Sequence, residues 1–309
     1  MKIVAIGRSE WLYNSIAALL ENGHSIAGIV TSEGAEEYQI QESDFFAFAK
    51  LNNIPYMLSK NNSEISKFLN NLGQFDIGIS INHTTILNSE VLDLFSNGVL
   101  NFHGGDLPRY KGNAAQVWAI LNGEKQIGFC VHRMVANEVD SGPIISRRYF
   151  PVELDTKIGE IYHWMGKTAP EMFLDSIKEL EFNKYFELAD TSSDIRPHRC
   201  YSRRPEDARI KWDKESIEIV RMINASGPPF KGAYCYYGDL LLRVLDGHVY
   251  ELSEDISAVS GQIIKIAPDQ IIVACGNNDA ICISKIASEE KPFEIALDKF
   301  FKSTRSRLT

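Results

Sequence analysis

The run Lys2-Ile3-Val4-Ala5-Ile6-Gly7, followed by Trp11 to Glu21 and by Ser25-Ile26-Ala27-Gly28-Ile29-Val30, decides the fold class. A short continuous apolar run ended by glycine reads as a buried strand and its turn. Trp11, Ile16, Ala17, Leu19 and Leu20 recur at helical spacing. Ser25–Val30 reads as a second strand. Strand, helix and strand in so short a span form the unit from which parallel sheets are built.

The alternation continues outward. Asp44–Leu51 reads as a helix with Ser43 or Asp44 as its cap, and Ser63–Leu72 as a helix capped by Ser63. Phe75–Ser80 reads as a strand, Ser89–Phe95 as a short helix and Gly98–Phe102 as a strand. Ala114–Asn122 and Thr156–Leu180 are helical in period, and Ile127–Met134 and Gly142–Pro151 are strand-like. The expectation over residues 1–185 is an α/β fold, a mostly parallel Rossmann-like sheet flanked by helices. Residues 186–205 contain the polar run Ala189-Asp190-Thr191-Ser192-Ser193-Asp194 and read as a linker. Over 206–309 one helix, Ser216–Ala225, precedes short strands: Ala233–Tyr237, Leu240–Leu245, Gly261–Ile266, Gln270–Ala274 and Ala280–Ile286. Hairpin signals such as Gly238-Asp239 separate them, so a smaller β-barrel-like domain is expected.

Bulk composition excludes several classes. The formal net charge of −9 argues against a general nucleic-acid surface, because phosphate binding needs a basic footprint. The five cysteines are scattered with no C-x-x-C pair, so neither a disulfide framework nor a zinc site is expected. They read as buried free thiols in a reducing cytoplasm. No apolar run approaches the about 18 residues of a membrane span, and the opening strand does not read as a signal segment. A soluble cytoplasmic protein is expected. The G-x-G-x-x-G dinucleotide pattern, the phosphate-binding loop and the G-x-S-x-G elbow are all missing.

Chemistry concentrates in Asn101-Phe102-His103-Gly104-Gly105-Asp106-Leu107-Pro108-Arg109-Tyr110-Lys111-Gly112 and in Asp140-Ser141-Gly142-Pro143-Ile144. Asn101 and His103 end a predicted strand, and residues i and i+2 of a strand point to one side. Open α/β sheets place ligands at that end. Gly104-Gly105 lets the backbone come close to a ligand. An amide, an imidazole and a carboxylate together supply an oxyanion donor, a base and an orienting group, the needs of acyl transfer. Each also has a plainer reading: a lone histidine as a satisfied core residue, and Asp-Ser-Gly as turn chemistry. His24, His132, His163, His198 and His248 show no ligand spacing and read as structural or surface residues. His83, after Asn82 in the loop beyond Phe75–Ser80, is placed to line the same cleft.

At these residues the sequence resembles the formyltransferases that use 10-formyltetrahydrofolate. Their signature is Asn-x-His at a strand end, then L-P-x-Y-[RK]-G, then an Asp in a D-x-G-x-I context. Arg203-Arg204-Pro205-Glu206-Asp207-Ala208-Arg209-Ile210-Lys211-Trp212 and Pro229-Phe230-Lys231-Gly232-Ala233-Tyr234 resemble the C-terminal segments of members similar to methionyl-tRNA formyltransferase and the sugar N-formyltransferases. The resemblance implies that His103 is the general base, that Asp140 holds its imidazole and that Asn101 donates to the oxyanion. It implies that the loop bearing Asn82, His83, Ile86 and Leu87 covers the pterin of the folate cosubstrate, with Val135 and Val139 flanking the other side. Gly105, Arg109, Tyr110 and Lys111 then lie toward the acceptor, Arg109 and Lys111 as the nearest cations for a sugar diphosphate or, in the plainer reading, as surface charges. No metal is implied.

Two features depart from the family pattern. Gly104-Gly105-Asp106 stands where a Ser-Leu pair is common. Between Thr31 and Asp44, where methionyl-tRNA enzymes carry a basic insertion, every charged residue is a carboxylate. That loop would repel a tRNA acceptor stem. A dTDP- or UDP-linked amino-deoxy sugar is therefore the expected acceptor, in surface glycan, O-antigen or lipopolysaccharide biosynthesis. A homodimer through the C-terminal barrel is implied by resemblance. The alternatives are a methionyl-tRNA formyltransferase and a formyltetrahydrofolate hydrolase or folate-binding module.

Overall fold

The computed structural model describes residues 1–182, 196–288, 291–294 and 296–309. Strands and helices alternate from the start: β1 (Lys2–Gly7), α1 (Glu10–Glu21), β2 (Ser25–Thr31), α2 (Glu42–Leu51), β3 (Tyr56–Leu58), α3 (Asn62–Leu72), β4 (Ile77–Ile81), α4 (Ser89–Leu92) and β5 (Val99–His103). Then come β6 (Tyr110–Gly112), α5 (Ala115–Leu121), β7 (Gln126–Arg133), β8 (Ile144–Pro151), α6 (Ile158–Phe182) and β9 (His198–Cys200). Seven strands make one sheet in the order β3-β2-β1-β4-β5-β7-β8. The first five pair in parallel, and β7 runs antiparallel to β5. The α/β class and the mostly parallel sheet are as expected. β3, β6 and β9, three residues each, went unpredicted because runs that short carry no periodic signal.

Strand order reverses between β1 and β4, which opens a crevice at their carboxyl ends. Gly7 stands there with φ 138°, and a Cβ on it would lie 1.9 Å from the Ile81 carbonyl oxygen. Its glycine is required by the close approach of β1 to β4. One core cluster includes Val4, Ile6, Val30, Ile65, Leu69, Val91 and Val99. α1 buries Trp11, Leu12, Ile16 and Leu19, a stripe at helical spacing. Fully burying each such Ile or Leu contributes roughly 1.5–3 kcal/mol, and this packing fixes the strand ends that carry the site.

Two helix caps differ from expectation. Gln41 is the cap of α2, and Asp44 reaches back to accept from the Gln41 backbone N–H at 2.8 Å. Asn61 caps α3, its Oδ1 accepting from Ser63 N at 2.9 Å. Asparagine caps as well as serine does, so a Ser-only reading places the start too late.

The chain divides into two compact units: 1–115 with 127–150 and 162–201, and 116–126 with 151–161 and 202–309. The second unit takes in two segments that the sequence reading assigns to the catalytic domain. Long-range bonds hold 151–161 there, Asn224 Nδ2 donating to the Leu154 carbonyl at 2.8 Å and Lys157 pairing with Asp246, and Val152 N donates to the Lys125 carbonyl, in 116–126, at 2.9 Å. Part of the expected linker is strand, since β9 pairs in parallel with β6. The polar run from Ala189 to Asp194 lies outside the described residues.

The second unit contains α7 (Ser216–Ser226), β10 (Ala233–Tyr237), β11 (Leu240–Val249), β12 (Ile263–Ala267), β13 (Gln270–Ala274), β14 (Ala280–Ser288), β15 (Lys291–Glu294) and α8 (Leu297–Phe300). Its antiparallel sheet runs β10-β11-β14-β13-β12, with β15 on β14. The last residues bridge the two ends of that path. Ile263 N donates to Ser306 O at 3.0 Å, and Leu308 N to Gly261 O at 2.8 Å. Tyr236 and Thr309 exchange both backbone bonds, at 2.7 and 2.9 Å. The barrel-like character thus depends on the chain end, with Leu308 buried in the same core as Trp212, Ile219 and Ile263.

Candidate active site

β5 delivers Asn101 and His103 to the carboxyl edge of the sheet, and β7 lays His132 directly opposite Asn101. Asn101 Nδ2 lies 3.1 Å from His132 Nε2. His103 is buried, with Nε2 2.7 Å from the Tyr110 carbonyl. A carbonyl only accepts, so Nε2 carries the proton and Nδ1 is the basic nitrogen. That Nδ1 is 3.5 Å from Asp140 Oδ1, while His132 Nε2 is 3.6 Å from the same oxygen. Asp140 Oδ2 accepts from Gly112 N at 2.8 Å. Asp140 sits at φ 50°, a left-handed conformation that Asp tolerates better than most residues.

Burial lowers the His103 pKa below its ordinary 6.5, although the Asp140 charge and the Tyr110 carbonyl act the other way. The imidazole is therefore neutral at neutral pH, the form a base requires. Burial alone would raise Asp140, but His103, His132 and the Gly112 N–H outweigh it and hold the carboxyl well below the usual range. Asp140 stays ionised, and a proton arriving at His103 Nδ1 lands beside a carboxylate.

Among the histidines read as structural, His132 is the one the structure moves into the site. Its signal was present but mute: it lies in a predicted strand, and only the β5–β7 register joins it to Asn101. Ser80, the neighbour of Asn101 on β4, was also missed, and its hydroxyl is buried without a partner. Beside β1 and β4, Tyr38 OH meets Asn82 Nδ2 at 3.0 Å, and burial pushes the Tyr38 phenol up to about 12. Arg8 donates from Nε to the Asn82 carbonyl at 3.2 Å.

The two expected folate flanks are tied together by one bond, from Asn137 N to Leu87 O at 3.1 Å. Asn82 and His83 open the first flank. His83 has both ring nitrogens buried and unpartnered, and burial, then Arg8, lowers its pKa to about 4. Ile86 and Val135 hold their side chains 47% and 38% exposed, and Val139 is half-buried. The Leu87 side chain belongs to the core, and its carbonyl accepts from Asn137 N.

On the acceptor side, Gly105 serves His103. A Cβ there would lie 2.4 Å from the Tyr110 carbonyl oxygen and 2.6 Å from His103 Nε2. The Tyr110 ring is buried and stacks on His198 at 5.1 Å, and its carbonyl meets His103. Arg109 is exposed, with its guanidinium 5.1 Å over the Tyr110 ring, and Lys111 is half-buried. Asp106, the departure from the family pattern, is 3.5 Å from Arg147 Nε and fastens this loop to β8.

An imidazole beside a carboxylate, with an amide next to them on an open α/β sheet, can serve group transfer to a carbonyl carbon. A family model described as Formyl transferase matches residues 1–177, and one described as Formyl transferase, C-terminal domain, matches residues 203–304. The chain belongs to the formyl transferase family. Solved structures share its fold. WlaRD, a sugar 3N-formyl transferase solved in the presence of dTDP and 5-N-formyl-THF, is 20% identical with a TM-score of 0.67, covering 94% of this chain and 98% of its own. The N-formyltransferase from Helicobacter canadensis, in complex with folinic acid and dTDP-3-aminofucose, is 18% identical with a TM-score of 0.65, covering 92% and 99%. HypX from Aquifex aeolicus, in complex with tetrahydrofolic acid, is 16% identical with a TM-score of 0.64; the match covers 98% of this chain and 47% of HypX. At these identities the likeness is one of fold. Among the described residues no helix is long and apolar enough to cross a membrane, and no group of three His, Cys, Asp or Glu is placed to hold a metal.

Proposed function

We propose that this chain moves a formyl group from 10-formyltetrahydrofolate to the primary amine of a nucleotide-linked amino sugar. The junction of Asn101, His103 and Asp140 at the end of β5, inside a formyl transferase domain, carries the reading. The flanking loops suit a folate. His83 offers one donor and one acceptor without a partner, and Ile86 and Val135 offer exposed apolar surface, as a flat ring with a polar edge requires. When bound, the folate supplies the formyl carbon and a nitrogen leaving group.

The chain's own residues do the rest. His103 takes the amine proton at Nδ1 and gives it to the departing folate nitrogen as that nitrogen's bond to the formyl carbon breaks. Asp140 stabilises the imidazolium that results. Asn101 presents an N–H to the oxygen that gains charge as the amine adds to the formyl carbon. Arg109 and Lys111 are the cations placed for the acceptor's diphosphate.

A dTDP- or UDP-linked amino-deoxy sugar is the favoured acceptor, and surface glycan of the O-antigen or lipopolysaccharide kind its destination, with the enzyme a cytoplasmic homodimer. WlaRD and the Helicobacter canadensis enzyme were solved with dTDP or a dTDP-sugar, which supports this choice. So does the loop after β2. Glu42 is tied back in that loop, accepting from Gly34 N at 3.0 Å, and the loop's carboxylates carry the wrong sign for a tRNA.

The test is mass spectrometry after incubation with 10-formyltetrahydrofolate and a panel of dTDP-, UDP- and GDP-linked amino sugars. One sugar gaining a formyl group, with the gain abolished in His103→Ala, is the expected result. Formylation of methionyl-tRNA with every sugar untouched would replace the acceptor, and formate release without acceptor would replace transfer by hydrolysis.

A further inference from the structure

We infer that His132 is a positioning residue that aims the Asn101 amide at the developing oxyanion. The inference rests on the formyl-transfer reading above. His132 is 2% exposed and pairs across β5–β7 with Asn101. We take the Arg133 carbonyl, 3.3 Å from Nδ1, to hold the proton of the neutral ring there, so that Nε2 accepts from Asn101 and meets Asp140 Oδ1, at 3.6 Å, with no proton between them. Asn101 Nδ2 donates to the Nε2 lone pair at 3.1 Å.

An amide is nearly symmetric in shape and opposite in chemistry at its two ends. Turned over, Asn101 would set Oδ1 against the lone pair of the buried His132 Nε2, two acceptors face to face. His132 therefore selects one of the two orientations. It engages one N–H of Asn101 and leaves the other in a fixed direction. Ser80 does not share the task, because its hydroxyl has no partner. An unselected amide would present its carbonyl to the oxyanion part of the time, a repulsive contact in place of an attractive one. His132 is also 3.6 Å from Asp140, so a competing role would act through that carboxylate.

Two substitutions separate these roles. In His132→Gln the side-chain oxygen falls near the position of Nε2 and still accepts from Asn101. In His132→Asn the polar groups end near Nδ1 and fall short. Removing an oxyanion donor lowers kcat by about 10²–10³-fold. His132→Asn is expected near the lower end of that range, with both KM values within about twofold, and His132→Gln is expected to retain most of the rate. Adding His132→Asn to Asn101→Ala should slow the enzyme no further, whereas adding it to Asp140→Asn should. Equal losses in the Gln and Asn variants, a loss seen in KM, or coupling to Asp140 in place of Asn101 would overturn the inference. A readout on the native protein needs no variant: a scalar coupling across the hydrogen bond between Asn101 Nδ2 and His132 Nε2 is expected by NMR, and its absence would overturn the inference even if a variant misfolds. Native protein that formylates no acceptor would instead overturn the underlying reading.

Discussion

At the residue scale, the site is set by which nitrogen of each imidazole holds its proton. The Tyr110 carbonyl assigns Nε2–H to His103 and the Arg133 carbonyl assigns Nδ1–H to His132. His103 therefore turns its basic nitrogen toward Asp140. Its pKa lies below 6.5 because burial outweighs the carboxylate's pull. The acidic limb of kcat/KM should accordingly lie below pH 6.5 in the native enzyme. Asp140→Asn removes a charge that raises the His103 pKa, so the limb should move to still lower pH while kcat falls. A pH–rate profile checks this, and an upward move has the wrong sign. Stability carries the same signature. The depressed Asp140 pKa gives a contribution complete above the unfolded value of 3.8 and lost as pH falls below it, and Asp140→Asn should lack that loss in acid denaturation.

At the scale of elements, the three-residue strand β6 suspends the His103–Asp140 pair. Its first residue accepts from His103 and its last donates to Asp140, at 2.7 and 2.8 Å. β9 fixes β6 in turn, pairing Tyr110 with His198 and Gly112 with Cys200. Gly105 leaves the room that the His103 bond needs. Gly105→Ala places a methyl 2.4 Å from the Tyr110 oxygen. An added methyl in packed surroundings costs roughly 1–3 kcal/mol. Borne by the His103–Tyr110 geometry, that corresponds to roughly 5–160-fold in kcat. Steady-state kinetics beside a melting curve would check it. A lowered melting temperature with kcat intact would show the strain relieved elsewhere.

At the scale of the whole molecule, the chain's far end carries weight out of proportion to its length. Ser306 to Thr309 hydrogen-bond to both ends of the sheet path β10-β11-β14-β13-β12. Leu308 is 1% exposed in that unit's core. Leu308→Ala should destabilise by about 2–5 kcal/mol, the usual range for such a buried truncation. Denaturant unfolding would measure it, and a change below about 0.5 kcal/mol, the level of a surface substitution, would mean the tail is not part of the core. Net charge also acts at this scale. A net charge of −9 works against a general attraction for nucleic acid.

Local pattern was enough for part of this. The apolar run Lys2–Gly7, the stripe of α1 and the alternation through β5 give the α/β class, because hydrophobic period reports how a short segment divides between core and water. Asn101 and His103 were legible for a similar reason, since two residues at i and i+2 at a strand end share a side by backbone geometry alone. Asp140 was legible through its motif. What the sequence alone did not reveal depends on pairings between distant segments. His132 enters the site through an antiparallel register, β6 exists because β9 covers it, and the barrel closes on its own last residues. Segments 116–126 and 151–161 cluster with the second unit for the same kind of reason. Local spacing determines which face of an element is buried. Which element lies against it is decided by packing and hydrogen-bond register over the whole fold, and only the tertiary structure contains that information.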